Sequence, residues 1–394
     1  MALAALGLLF LAAASYLTLE RAVTSRESPE AAPAVLALER LSPGEFADEK
    51  QAAGDAFARD PLDAASVITL ARIAEAEGKT EAAERLKLSA GDMMPRAASV
   101  QAEAMAIFLN RRDFEQVMGR LDGLIRARPQ KAANFFDLAA EISADPDGSW
   151  AVARMIASTP PWRAQFFAYL LSKGQPEAAT RIMDGLRSLN AVVQDLEIAG
   201  VINHYLRSGD IDRAYAAWLS SLSEEELKDV KRVYDGGFKH PVRGLRFDWT
   251  VKPADGLAYR LFPRNTASMD QTLQLEFQDF AGGVSNLSQI LRLRPGRYRL
   301  SGEVRFEGFA SPTGLVFRLY CLNGGEARSL DETSPLPQST QWIDFEKTIQ
   351  VPAADCNSQL LQLESKAKLS NEQITRGMVA VDALNIDKLQ PLAQ

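Results

Sequence analysis

The spacing of hydrophobic positions changes twice along the chain, and each change predicts a different kind of structure. Met1 to Leu19 includes no charged side chain, and as a helix the run would extend roughly 28 Å, close to the thickness of a bilayer core. A spacer rich in Ala, Pro, Glu and Ser follows, completing residues 21–46. From 47 to 235, Ala, Leu, Ile and Phe recur at helical intervals, which predicts an all-α region. Near Asp235-Gly236-Gly237 the period shortens to two. Strands are expected at 246–251, 258–262, 271–277, 285–293, 297–306, 314–322, 341–351, 358–365 and 377–386, and this many short strands over 236–389 predict a two-sheet sandwich, with 390–394 as a tail. Tyr298, Leu300, Gly302, Val304 and Phe306 alternate with Arg297, Arg299, Ser301, Glu303 and Arg305, placing the first set in the core and the second outside.

Within the helical region Pro61, Pro95 and Pro129 are 34 residues apart. Gly78, Gly174 and Gly209 are each followed five residues later by Ala83, Ala179 and Ala214, so that a glycine turns the chain between helices and a small side chain lets the second helix approach the first. Arg112 and Val117 stand at those positions in the intervening unit, and Pro160-Pro161 falls short of the next mark. The period and the Gly/Ala register resemble tetratricopeptide (TPR) repeats, with about five imperfect helical pairs over 47–235. The resemblance implies a stacked solenoid that binds a protein partner. Phe135, Phe136, Phe166 and Phe167 are expected in the core between repeats. Gly78-Lys79-Thr80 is read as a helix turn, because Ile73 occupies the place where a phosphate-binding loop needs glycine.

In the strand region the succession Gly237-Phe238, Phe247-Asp248-Trp249, Leu273 to Phe277, Leu293 to Tyr298, Trp342 to Phe345 and Val379 to Leu384 resembles a carbohydrate-binding module of the galactose-binding-like jelly-roll family. The expected fold class is therefore multidomain: an N-terminal transmembrane helix, an all-α TPR-like solenoid and an all-β jelly-roll sandwich. Such modules often hold calcium with an acid after the opening Gly-Phe and an Asp in the last strand. Asp382 matches, but Lys239 replaces the acid, so no metal is expected. Aromatic faces beside polar groups grip sugar rings, and the candidates are Trp249, Arg299, Glu303, Arg305, Arg318 and Tyr320. Tyr320 is out of phase with the inward set Leu315, Phe317, Leu319 and Cys321. Cys321 and Cys356 are either a disulfide of an exported domain or two separate buried thiols.

Composition narrows the chemistry. With 46% hydrophobic and 24% charged residues the chain is neither disordered nor a multi-span membrane protein. A net charge of -7 excludes a dedicated nucleic-acid binder. His204 and His240 are the whole histidine complement and Cys321 and Cys356 the whole cysteine complement, and their settings argue against a Ser-His-Asp triad, a Cys-His nucleophile and a His/Cys zinc cage. No cofactor is expected. The apolar N-terminus reads as a single-span anchor, with Ala12-Ala13-Ala14 as a cleavage pattern in the alternative that it is a signal; Arg21 and Arg26 oppose export, while Glu20, Glu27 and Glu30 dilute that flank.

The expected function is non-enzymatic: an inner-membrane protein of bacteria with periplasmic domains, its repeats recruiting a protein and its sandwich contacting a polysaccharide. The combination resembles repeat proteins of exopolysaccharide synthesis and export. The alternative is an assembly scaffold that binds no sugar, favoured by a smooth charged face, whereas exposed aromatics favour glycan binding. A glycan-cleaving carboxylate pair, Glu276 with Asp279 or Glu303, is disfavoured because a small sandwich gives an acid little shelter.

Overall fold

The computed structural model describes residues 45–264, 271–323, 326–366 and 374–389. The apolar segment 1–20, nearly all of the spacer and the tail 390–394 lie outside the described residues. Among the described residues no helix is long and apolar enough to cross a membrane. The chain divides into two compact units, Met1–Val193 and Gln194–Gln394.

The first unit holds nine α-helices among its described residues: α1 (Glu45–Arg59), α2 (Ala64–Ala76), α3 (Thr80–Met93), α4 (Ala98–Asn110), α5 (Phe114–Ala127), α6 (Ala133–Ala144), α7 (Pro146–Ala157), α8 (Arg163–Ser172) and α9 (Pro176–Ser188). From α2 onward they form pairs joined by tight turns. Gly78 and Gly174 take φ of 73° and 69° between paired helices, a left-handed conformation that ends a helix at little cost only for glycine. Arg112 takes the same conformation, φ 56°, at the equivalent turn. There Asp113 accepts the Gln116 amide and starts α5, and Arg112 pairs with Asp145 at 2.7 Å. The turn between α6 and α7 has a different mechanism: Asp145 accepts the amides of Asp147 and Gly148, and Pro146 opens the helix. Ala83, Ala179 and Val117 are buried at the close contacts, and Phe135, Phe136, Phe166 and Phe167 are in the core. The region is a helical repeat array in which Pro160-Pro161 shortens one unit.

The second unit begins with α10 (Asp195–Arg207), α11 (Ile211–Leu219) and the short α12 (Glu224–Lys228). The last Gly/Ala pair, Gly209 and Ala214, thus groups with the sandwich. Tyr215, Trp218, Tyr234 and Phe247 explain this, forming an aromatic cluster with centroids 5.1 to 5.7 Å apart. Each contact buries ring area that helices or strands alone would expose.

Two antiparallel five-stranded sheets follow. Sheet A has the order β1 (Thr250–Val251), β4 (Leu287–Leu291), β9 (Ser358–Ser365), β6 (Leu315–Asn323), β7 (Glu326–Glu332); sheet B has β2 (Leu257–Pro263), β3 (Gln271–Ala281), β10 (Ile374–Lys388), β5 (Gly296–Ala310), β8 (Ile343–Val351). Leu273, Leu275, Val379, Val381, Leu300 and Val304 from sheet B meet Leu287, Leu361, Leu363, Phe317 and Leu319 from sheet A in one core. All nine expected strands have a counterpart. The first shrinks to Thr250–Val251 because Arg246 adopts φ 73° and breaks the extended run. β7 was not expected: it is an edge strand, EARSLDE, with no buried side chain, so no alternation marks it. Cys321 of β6 is bonded to Cys356, with Cα atoms 5.2 Å apart.

Candidate functional site

The outward face of sheet B is built from the same alternation that makes the core. Along one row, Arg260 of β2 pairs with Gln274 of β3, Gln274 with Ala380 of β10, and Ala380 with Arg305 of β5. In the next row Phe262 pairs with Thr272, and Asp382 with Glu303, which pairs with Asp344 of β8. Ala380 and Thr272 point away from the core yet are 0% and 1% exposed. A small side chain shielded on an outward face must lie below its neighbours, so the rows form a furrow floored by Ala380, Thr272 and Gln274.

Aromatic rings stand at its two ends. Phe262, on the β2 side, is 45% exposed and the Arg260 guanidinium lies 5.2 Å from its centre. Trp342 immediately precedes β8; the guanidiniums of Arg264 and Arg305 lie 4.9 and 5.7 Å from its ring. Arg260 donates to the Gln274 side chain at 3.2 Å. Arg264 donates to Asp382 at 2.9 Å and to Glu303. Burial pushes the Asp382 carboxyl above its usual range, against the pull of the Ala383 amide and Arg264, and Glu303 chiefly raises the pKa of Arg264. The arrangement offers ring faces, a shielded floor and groups that donate and accept hydrogen bonds, all suited to polyhydroxylated ligands.

The six residues expected to bind sugar divide four ways. Glu303 and Arg305 are in the furrow. Arg299 shares their face but is two outward positions from Glu303, roughly 14 Å along β5, and pairs with Asp387 at 3.5 Å. Arg318 and Tyr320 face outward from sheet A, on the other side of the sandwich. There the Tyr320 hydroxyl donates to Glu364 at 2.8 Å, and Arg318 bridges Glu364 and Glu332. Burial pushes the carboxyl of Glu364 up, while Lys366, ahead of Arg318, pulls Glu332 down. That network satisfies itself. Trp249 must be corrected: it is buried in the core, packs 5.4 Å from Phe238 and donates its indole N–H to the Asp235 carbonyl at 3.1 Å. The parity of β1 turns residues 249 and 251 inward, so no sugar reaches this ring.

Sequence reasoning missed Trp342, Arg264, Arg260, Phe262 and Gln274 as site residues. Trp342 was within reach, since extending the alternation of β8 by one residue sets it opposite Arg305. Arg264 was not, because it follows the end of β2 and no periodicity aims it across the face.

A calcium site of the kind the family resemblance brings with it does not fit these residues. Arg264 and the Ala383 amide take the Asp382 oxygens, and Lys239 replaces an acid near Gly237. Among the described residues no group of three His, Cys, Asp or Glu side chains could hold a metal.

No family model matches the sequence, and no curated protein matches it. Several solved structures are similar to part of the chain. A CBM4 module shares 12% identity over 40% of this chain and 99% of its own, with a TM-score of 0.31. The CBM22-1 xylan-binding domain of Xyn10C from Paenibacillus barcinonensis shares 18% over 36% and 86%, with a TM-score of 0.27. TmCBM61, solved with β-1,4-galactotriose, shares 16% over 40% and 98%, with a TM-score of 0.27.

Proposed function

We propose that this protein is a non-enzymatic glycan-binding protein of a bacterial cell envelope, in which the furrow on sheet B holds a stretch of polysaccharide. The observation that carries the reading is Trp342, a half-buried ring on the outward face with Arg305, Arg264 and Glu303 around it and the Ala380 floor beside it. Exposed Phe262 at the opposite end supports it too, since aromatics on an outward face distinguish a sugar-binding sheet from a smooth charged scaffold. The furrow crosses five strands, about 19 Å between the outer two, long enough for a chain of several sugars. The solved modules similar to the sandwich include a xylan-binding domain and one holding a galactan trimer, which makes neutral β-linked chains the first ligands to try.

The helical repeats recruit a protein partner, and the apolar N-terminus anchors the chain in the inner membrane with its domains in the periplasm. The Cys321–Cys356 disulfide supports an oxidising compartment. Work in exopolysaccharide synthesis or export joins these parts, because it requires a polymer to be held beside a membrane-bound assembly. The test is titration of the full-length, oxidised chain with a panel of bacterial polysaccharides and β-linked oligosaccharides, with Trp342→Ala alongside. Saturable binding that weakens about five- to thirtyfold in the variant is expected, since stacking on one ring contributes about 1–2 kcal/mol. No binding across the panel would leave the sandwich as a scaffold.

A further inference from the structure

Arg264 lies where the sugar stacked on Trp342 would lie. It leaves the sheet just after Pro263, yet its guanidinium reaches Asp382 of β10 at 2.9 Å, Glu303 of β5 and the Trp342 ring at 4.9 Å. Asp382 and Glu303 are directly opposite in register. Like charges so placed repel, and this one cation offsets one of the two charges while covering the aromatic ring.

We propose that Arg264 is an internal occupant of the Trp342 subsite, which a glycan enters by displacing it. This rests on the glycan-binding reading and adds a rule for selectivity. Once Arg264 has moved, Asp382 and Glu303 are left as hydrogen-bond acceptors only. The incoming sugar must replace guanidinium N–H donors with hydroxyl O–H donors and lay an apolar face on the indole. A neutral hexose or pentose chain meets those terms. A uronate chain brings a further negative charge to two carboxylates and is rejected. Arg305 stays on its strand, with a buried Nε that has no acceptor among the described residues, and can donate to a ring or hydroxyl oxygen of the bound sugar.

Arg264 holds its place by an ion pair with the partly exposed Glu303, another with the buried Asp382, and one cation–π contact. Removing that competition is therefore expected to tighten binding about tenfold. The experiment titrates the full-length protein and its Arg264→Ala variant with cellohexaose, xylohexaose and β-1,4-galactotriose, and with trigalacturonate as the acidic probe. The variant tightens binding of the neutral probe that the wild type accepts. Raising NaCl to about 0.5 M, which screens the ion pairs, tightens the wild type and leaves the variant unchanged. Weaker or unaltered binding by the variant, with the wild type still binding, overturns the displacement model and leaves glycan binding standing. Failure of both proteins with every probe overturns the glycan reading and this inference with it. A second readout needs no glycan: oxidation of Trp342 by N-bromosuccinimide, mapped by mass spectrometry, is faster in Arg264→Ala, and equal rates overturn the model.

Discussion

At the scale of single residues, Asp248 is a carboxyl held at a cost. It is buried, its carboxylate accepts the Leu245 amide at 2.6 Å, and burial, reinforced by Asp195 and Glu226 and opposed by that amide and Arg243, pushes its pKa up to about 7. The unfolded value is near 4, so between about pH 4 and 7 the folded chain holds a proton that the unfolded chain has lost. Stability from this residue is therefore present at the acid end and falls as pH rises through that window. Asp248→Asn keeps an acceptor for Leu245 without the charge. It is expected to raise stability at pH 8 by on the order of 2–4 kcal/mol and to change little near pH 4, measured as urea midpoints across pH. Arg112 shows a different residue-scale compromise. Nothing in its side chain favours φ of 56°, and it holds a glycine's place in the turn while its ion pair with Asp145 binds that turn to the start of α7.

Elements were legible in proportion to how strongly one face was buried. β5 shows strict alternation of buried and outward residues from Tyr298 to Phe306, and its sequence predicts that stretch, although the strand itself runs on to Ala310. β7 carries no such signal because an edge strand has one neighbour and little to bury. The element boundary at Gly236 is set by backbone contact. Its amide neighbours run against β10, where Gly236 accepts the Leu384 N–H at 2.9 Å, and a Cβ on Gly236 would lie 1.8 Å from the Leu384 carbonyl oxygen. Gly236→Ala is expected to cost more than about 3 kcal/mol, because backbone on both sides must move. Gly209, φ 78° with open space around it, makes the contrast: there the conformation, and no clash, requires glycine. Thermal melts of Gly236→Ala against wild type check the expectation.

Across the whole molecule, the disulfide closes a separation of 35 residues within sheet A and its neighbouring loops. Its reduction is expected to destabilise the chain by about 3–4 kcal/mol in the chain-entropy model, seen as a lower denaturation midpoint in dithiothreitol and reproduced by Cys321→Ser with Cys356→Ser. The sequence by itself determined the two classes of structure, the turn glycines of the helical pairs and the inward and outward parity of β5 and β6. These depend on local spacing, which a linear chain displays directly. Only the tertiary structure decided which outward residues belong together. Arg318 and Tyr320 have the same alternation signal as Glu303 and Arg305, yet the order of strands sends them to opposite sides of the sandwich. Trp249 and Trp342 are equally aromatic on paper, and the fold buries one and leaves the other half-buried on an outward face beside Arg264. Sheet order and the reach of a side chain beyond its own strand are long-range facts, set by which strands share a core and not by spacing along any one of them.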